Sequence, residues 1–142
     1  MLFIKSTTFS PEETHRLGKE FAQLLNLGSI IAIFGDIGSG KTTFVRGLVD
    51  GIGSIDTRNV CSPTFSFLNI YNGDKTIFHF DLYRLPREKE FFAAGFDEYF
   101  RADAICCIEW AEKIESSLPP HIFKVIFSSL GENTRQIEIL KE

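Results

Sequence analysis

The chain has 142 residues, 44% of them hydrophobic and 15 of them phenylalanine, which excludes a disordered protein and supplies one core able to bury roughly two-thirds of the unfolded surface. A single domain over residues 1–142 is expected, with no disulfide or metal staple needed for stability. The net charge of −4 and a pI near 5.4 argue against a protein that holds nucleic acid by its own basic field, and leave a strip of Lys5, Arg84, Arg87 and Arg101 as the place for any local contact.

Residues 2–7 alternate like a strand. Ser10-Pro11-Glu12-Glu13 then reads as a helix start, with Ser10 as N-cap, Pro11 at the first helical position and Glu13 closing a capping box. Leu17, Phe21, Leu24 and Leu25 are the expected buried face, and the helix should stop around Asn26-Leu27-Gly28. Ser29-Ile30-Ile31-Ala32-Ile33-Phe34 is a short apolar, β-branched run, as a buried parallel strand requires. It leads straight into Gly35-Asp36-Ile37-Gly38-Ser39-Gly40-Lys41-Thr42, which satisfies every fixed position of the pattern G-x-x-x-x-G-K-[ST]. Behind that loop, Phe44, Val45, Leu48, Val49 and Ile52 recur at helical spacing, closing at Gly51 and Gly53. Residues 54–63 are polar and turn-rich, a loop expected to lie over a bound nucleotide. Strands over 65–71 and 76–80 flank a turn at Asn72-Gly73-Asp74. A short helix over 86–92, a buried strand over 104–108 and helical turns over 111–117 follow, and Pro119-Pro120 ends them. Phe123, Val125 and Phe127 alternate on one last strand, Gly131-Glu132-Asn133 turns, and Ile137 and Ile139 return. The order predicts an α/β fold: a P-loop NTPase-like three-layer sandwich whose mixed sheet has parallel core strands and antiparallel flanking hairpins.

The glycine loop carries the chemistry. Glycines let successive backbone N–H groups curl toward a phosphate, Lys41 reaches the β/γ oxygens, and the Thr42 hydroxyl is placed to ligate Mg²⁺. Gly38, Ser39, Gly40, Lys41, Thr42 and Thr43 are therefore the predicted ATP-binding residues. Strand, loop and helix come in the order such a site needs, whereas a plain flexible turn has no use for Lys41 and Thr42. Mg²⁺ takes one or two protein oxygens besides phosphate and water, so Thr42 should have a carboxylate helper at another strand's end. Two acids compete for that place: Glu109 closes the run Ala104-Ile105-Cys106-Cys107-Ile108, and Asp81 closes Ile77-Phe78-His79-Phe80. His15, His79 and His121 are dispersed, which excludes a histidine metal site or triad; His79 is expected to be a hydrogen-bonded strand histidine that helps place Asp81. Cys61, Cys106 and Cys107 have no C-x-x-C spacing and read as buried reduced thiols. The N-terminal residues carry neither a basic leader nor a long apolar core, and no apolar run approaches a membrane span, so a cytoplasmic protein without membrane contact is expected.

The glycine loop through Thr43, Ser62-Pro63-Thr64-Phe65, His79-Phe80-Asp81-Leu82-Tyr83-Arg84-Leu85 and Ile108-Glu109-Trp110-Ala111-Glu112 together resemble the bacterial TsaE family, in unbroken order over nearly the whole chain. The two later segments are far more specific than the loop alone. TsaE proteins are small P-loop ATPases of tRNA threonylcarbamoyladenosine biosynthesis. The resemblance implies that Lys41 and Thr42 hold phosphate and Mg²⁺, that Glu109 supplies the metal's carboxylate, and that Asp81 is the acid needed for hydrolysis. It also makes Ser62 to Thr64 a mobile segment near the γ-phosphate. Tyr83 and Arg84 become candidates for contact with nucleotide or partner, and Phe9 and Ser10 candidates for bordering the base. Trp110 is placed at the site because a Trp at a strand's active end is poorly placed for complete burial; Arg135 in the last hairpin is a further candidate. ATP hydrolysis in support of TsaB and TsaD is the implied activity, slow on its own, with tRNA reached through the complex rather than by this chain.

Three other classes share the loop. A small-molecule kinase needs an acceptor pocket and usually an arginine-bearing lid, but the arginines here are dispersed from Arg16 to Arg135. A GTPase switch needs N-K-x-D, which is absent, and a glycine in D-x-x-G, which Asp81-Leu82-Tyr83-Arg84 lacks. A non-hydrolytic nucleotide scaffold differs only in its kinetics.

Overall fold

The computed structural model describes residues 2–36, 38–53 and 67–142. The expected loop over 54–63, Cys61, Ser62, Thr64 and Phe65 lie outside the described residues. Seven strands form one sheet in the order β1-β7-β6-β2-β5-β4-β3. They are β1 (Leu2–Thr8), β2 (Ile30–Phe34), β3 (Leu68–Tyr71), β4 (Ile77–Asp81), β5 (Ile105–Glu109), β6 (Phe123–Ser129) and β7 (Arg135–Lys141). The central pairs β6–β2, β2–β5 and β5–β4 are parallel, while β3–β4, β6–β7 and β1–β7 are antiparallel. The expected mixed sheet with a parallel core is thus the one formed.

Helices cover both faces. Helix α1 (Pro11–Ala22) and helix α2 (Lys41–Ile52) lie on one side, where Phe21, Phe44, Val45, Leu48 and Val49 pack on inward residues of β2, β5, β6 and β7. Helix α3 (Glu88–Ala93), a 3-10 turn over Phe96–Tyr99 and the 3-10 segment Ala111–Ser117 border the other side, where Phe91, Ala111 and Ile114 meet Phe78, Phe80 and Ile108. Side chains in a strand alternate between faces, so Ile31, Ile33, Ile77, Ile105 and Cys107 join the first core while Ala32, Phe34, Phe78, Cys106 and Ile108 join the second. Glycines let α1 and α2 touch backbone to backbone: a Cβ on Gly47 would stand 2.1 Å from the His15 carbonyl oxygen, and one on Gly18 2.4 Å from that of Phe44.

Local expectations needed correction in three places. Helix α1 ends at Ala22, so Leu24 follows the helix rather than its buried stripe and is 49% exposed. Ser10 caps the helix as expected, accepting from the Glu13 amide at 3.1 Å, but the Glu13 carboxylate reaches past Ser10 and accepts from the Phe9 amide at 3.0 Å. The Phe96–Tyr99 turn has no counterpart among the expected elements. The helical turns expected over 111–117 do form, as a 3-10 segment kinked at Ile114. Cys106 and Cys107 are buried free thiols, as read from the sequence. Among the described residues, no helix is long and apolar enough to cross a membrane.

Candidate functional site

The loop between β2 and α2 opens on a cavity of about 500 Å³ at the carboxyl ends of the parallel strands, where an α/β sheet places its ligands. Three glycines of the loop, Gly35, Gly38 and Gly40, have positive φ, a conformation that favours glycine. Gly40, the N-cap residue that precedes α2, has φ +99°, and Gly35 has φ +144° with no room for a Cβ, which would come within 2.8 Å of the Phe127 Cβ. Among the described residues no side chain caps the α2 N-terminus and no acid sits in its first turn, so the positive end of its dipole faces the cavity, an arrangement that attracts an anion.

Two distant side chains hold the loop. Arg135, the first residue of β7, donates Nε to the Ser39 carbonyl and Nη2 to the Gly38 carbonyl, each at 2.9 Å. Its Nη1 donates to the carbonyls of Gly131 at 2.9 Å and Thr134 at 3.1 Å, tying the guanidinium to its own hairpin. Because C=O and N–H of one trans peptide point in opposite directions, holding the Ser39 carbonyl fixes the direction of the Gly40 amide. At the other end of the loop, the Gly35 amide donates to Glu112 Oε2 at 3.1 Å.

Lys41 is 5% exposed. Its ammonium donates to the carbonyls of Gly35 and Asp36 and lies 3.8 Å from the centre of the Trp110 ring, a cation–π contact. Burial lowers its pKa from the ordinary lysine value, and the carboxylates of Glu112, Glu109, Asp81 and Asp36 oppose that fall by favouring the charged form. Thr42 sits one residue on, its hydroxyl 3.0 and 3.2 Å from the two oxygens of Glu109, which is itself 2% exposed. Asp81 and Glu109 are direct partners in the β4–β5 ladder, so both acids stand at the same edge of the cavity. The Tyr83 amide donates to Asp81 Oδ1 at 3.0 Å, and the Tyr83 and Trp110 rings lie 4.9 Å apart.

The family model for "Threonylcarbamoyl adenosine biosynthesis protein TsaE" matches residues 8–137. The tRNA threonylcarbamoyladenosine biosynthesis protein TsaE of Bacillus subtilis is 38% identical over 135 residues, covering 94% of this chain and 83% of that protein. The protein of the same name from Haemophilus influenzae is 42% identical over 121 residues, covering 80% and 75%. The chain belongs to the TsaE family. The crystal structure of YdiB from Bacillus subtilis superposes on it with a TM-score of 0.78 at 32% identity, over 98% of this chain and 86% of that one.

Within this TsaE fold, Gly38, Ser39, Gly40, Lys41, Thr42, Thr43, Ser10, Asp81, Tyr83, Glu109, Trp110 and Arg135 all line the one cavity. Phe9 and Arg84 do not line it among the described residues; Phe9 is 62% exposed, because the strand-to-helix turn points it outward. Three lining residues escaped sequence reading: Pro11 and Thr14 of α1, and Asn133 in the β6–β7 turn. His79 needs a correction. It does not bond Asp81; its Nε2 is 2.5 Å from Glu109 Oε2 and its Nδ1 2.9 Å from the Tyr71 hydroxyl. Residues 79 and 81 project side by side from one face of β4, whereas Glu109, diagonal to His79 across the parallel ladder, comes within reach.

The donor set fits Mg²⁺. A hard cation of this kind is held by one hydroxyl and one carboxylate, with phosphate and water supplying the rest, and Thr42 with Glu109 offers that pair. A buried hydroxyl in the loop points the same way: Ser39 Oγ has no hydrogen-bond partner among the described residues, a cost that a phosphate oxygen would remove.

Proposed function

We propose that this chain is a Mg²⁺-dependent ATP hydrolase that serves threonylcarbamoylation of the adenosine next to the tRNA anticodon. It acts in the cytoplasm with TsaB and TsaD, and is not itself the transferase. The observation that carries the reading is the meeting of Lys41, Thr42 and Glu109 at one glycine loop.

Lys41 and the α2 N-terminus take the charge of the β- and γ-phosphates. Thr42 and Glu109 would hold Mg²⁺, which when bound would supply positive charge against the phosphate oxygens. Asp81, fixed by the Tyr83 amide, orients a water for in-line attack on the γ-phosphorus. The new P–O bond forms as the bond to the β–γ bridging oxygen breaks, and ADP leaves with that electron pair. Arg135, the arginine that lines the cavity among the described residues, is committed to loop carbonyls, which suits slow turnover outside the complex. Asn133 and the start of α1 also line the cavity, and the nucleoside would rest against them.

Steady-state phosphate release from ATP tests the reading. The parent should hydrolyse ATP only with Mg²⁺, a folded Lys41→Ala protein should neither bind nor hydrolyse, and Asp81→Asn should bind but lose turnover by 100-fold or more, on the order expected for a water-orienting group. Hydrolysis at the parent rate by Lys41→Ala would overturn it, and transfer of the γ-phosphoryl to an added nucleoside or sugar would point to a kinase instead.

A further inference from the structure

Glu109 is the residue on which the metal assignment rests, and its carboxylate does not stand alone. His79, 0% exposed in the middle of β4, donates from Nε2 to Glu109 Oε2 at 2.5 Å. On the other side of the ring, Nδ1 meets the Tyr71 hydroxyl at 2.9 Å, and the two rings pack with centroids 5.8 Å apart. Tyr71, at the end of β3, is itself 8% exposed and sits in the core beneath α2. The Thr42 hydroxyl in turn donates to Glu109, 3.0 Å from Oε1 and 3.2 Å from Oε2. The result is a continuous row, Tyr71 to His79 to Glu109 to Thr42, that crosses three adjacent strands and ends at the first turn of α2.

From this row, and resting on the nucleotide reading above, we infer that His79 and Tyr71 are positioning residues for the Mg²⁺ site: they hold Glu109 by Oε2 so that its carboxylate is presented beside Thr42. A glutamate at a strand end has three side-chain torsions to settle, and an imidazole N–H on one oxygen removes most of that freedom before the ion arrives. Full burial keeps His79 from touching substrate or water in the cavity, so its effect passes through Glu109. The Tyr71 hydroxyl satisfies the second ring nitrogen and fixes the ring plane, as outer partners of ligand-orienting histidines do. The H-x-D spacing has a physical sense here: both side chains leave one face of β4, Asp81 into the cavity and His79 one layer below it, under the neighbouring acid.

The test is calorimetric titration with a non-hydrolysable ATP analogue, first in chelator and then across a Mg²⁺ series, for the parent, His79→Gln, His79→Asn and Tyr71→Phe. The Gln amide nitrogen reaches the place of Nε2 and keeps the bond to Glu109, while the shorter Asn amide stops near Nδ1. We expect metal-free affinity within about two-fold of the parent in every variant. The Mg²⁺ concentration that gives half the affinity gain should rise 10-fold or more for His79→Asn, the loss typical of an outer-shell partner, and stay near the parent value for His79→Gln. Tyr71→Phe should fall between them. A fold requirement alone would lower both affinities together, and thermal melts identify it. An equal Mg²⁺ requirement in the parent and His79→Asn, or an equal loss in Asn and Gln, overturns the inference alone. Failure of the parent to bind the analogue under any condition overturns the nucleotide reading and this inference with it.

Discussion

Replacing Arg135 by methionine removes the clamp on the phosphate loop while keeping most of the side chain's apolar stem. Two bonds to the loop are lost, both 2.9 Å and both from a charged donor to a carbonyl. Bonds of that kind contribute about 1.5–3 kcal/mol when buried; the Gly38 bond is exposed and the Ser39 bond only partly buried, so about 1 kcal/mol each is the appropriate figure, near 2 kcal/mol together. The lost energy appears in binding, because the free loop no longer waits with its amides aimed and must be ordered by the ligand. At about 1.4 kcal/mol per decade this is roughly a 30-fold weaker Kd for nucleotide. Calorimetry with the non-hydrolysable analogue measures it, alongside a thermal melt that should move little. Arg135→Lys separates clamp from charge: an ammonium cannot fork between two carbonyls, so it should recover only part of the loss. Methionine within three-fold of the parent, or complete recovery by lysine, would refute the clamp.

Lys41 must be charged to hold phosphate, and burial lowers its pKa from the ordinary lysine value of 10.5, so the Kd for nucleotide should begin to rise at a pH below that value. Glu112 is the largest of the charges opposing that shift; Glu112→Gln should therefore move the onset to still lower pH, and an onset moved upward would contradict the sign. Gly47→Ala should force α1 and α2 apart, since its Cβ meets the His15 carbonyl oxygen at 2.1 Å; a net loss of about 2 kcal/mol, or about 6 °C in Tm, is expected, and an unchanged melt would contradict the packing. Burial pushes the Cys107 thiol up to about 12. The folded state then keeps a proton that the unfolded state releases near pH 9, so stability falls as pH rises from about 9 to 12. Denaturant melts should show the parent losing up to about 1.4 kcal/mol per pH unit more than Cys107→Ala in that window, and parallel curves would argue against a buried thiol.

The parts of the site that follow one another in the chain were legible. Apolar β-branched residues run into a glycine loop and then a helix, and that order alone places Lys41 and Thr42 at a strand's carboxyl end. Glu109 and Asp81 were legible too, because an acid closing an apolar run stands at the sheet's edge. Their pairing was not, since it depends on the parallel register of β4 and β5. For the same reason His79 was matched to its sequence neighbour Asp81 instead of to Glu109, 30 residues away. Arg135 was a candidate without a role, as its partners Gly38 and Ser39 are 97 and 96 residues distant and no local pattern marks them. Leu24 was misplaced because helical spacing was continued past Ala22, where the helix ends.

The most direct test of nucleotide binding at this loop is a calorimetric titration of the parent and of Lys41→Ala with the Mg²⁺ complex of a non-hydrolysable ATP analogue. The parent should take up one equivalent per chain, and the variant, with an unchanged melt, none. No uptake by the parent, or equal uptake by both, would contradict the account.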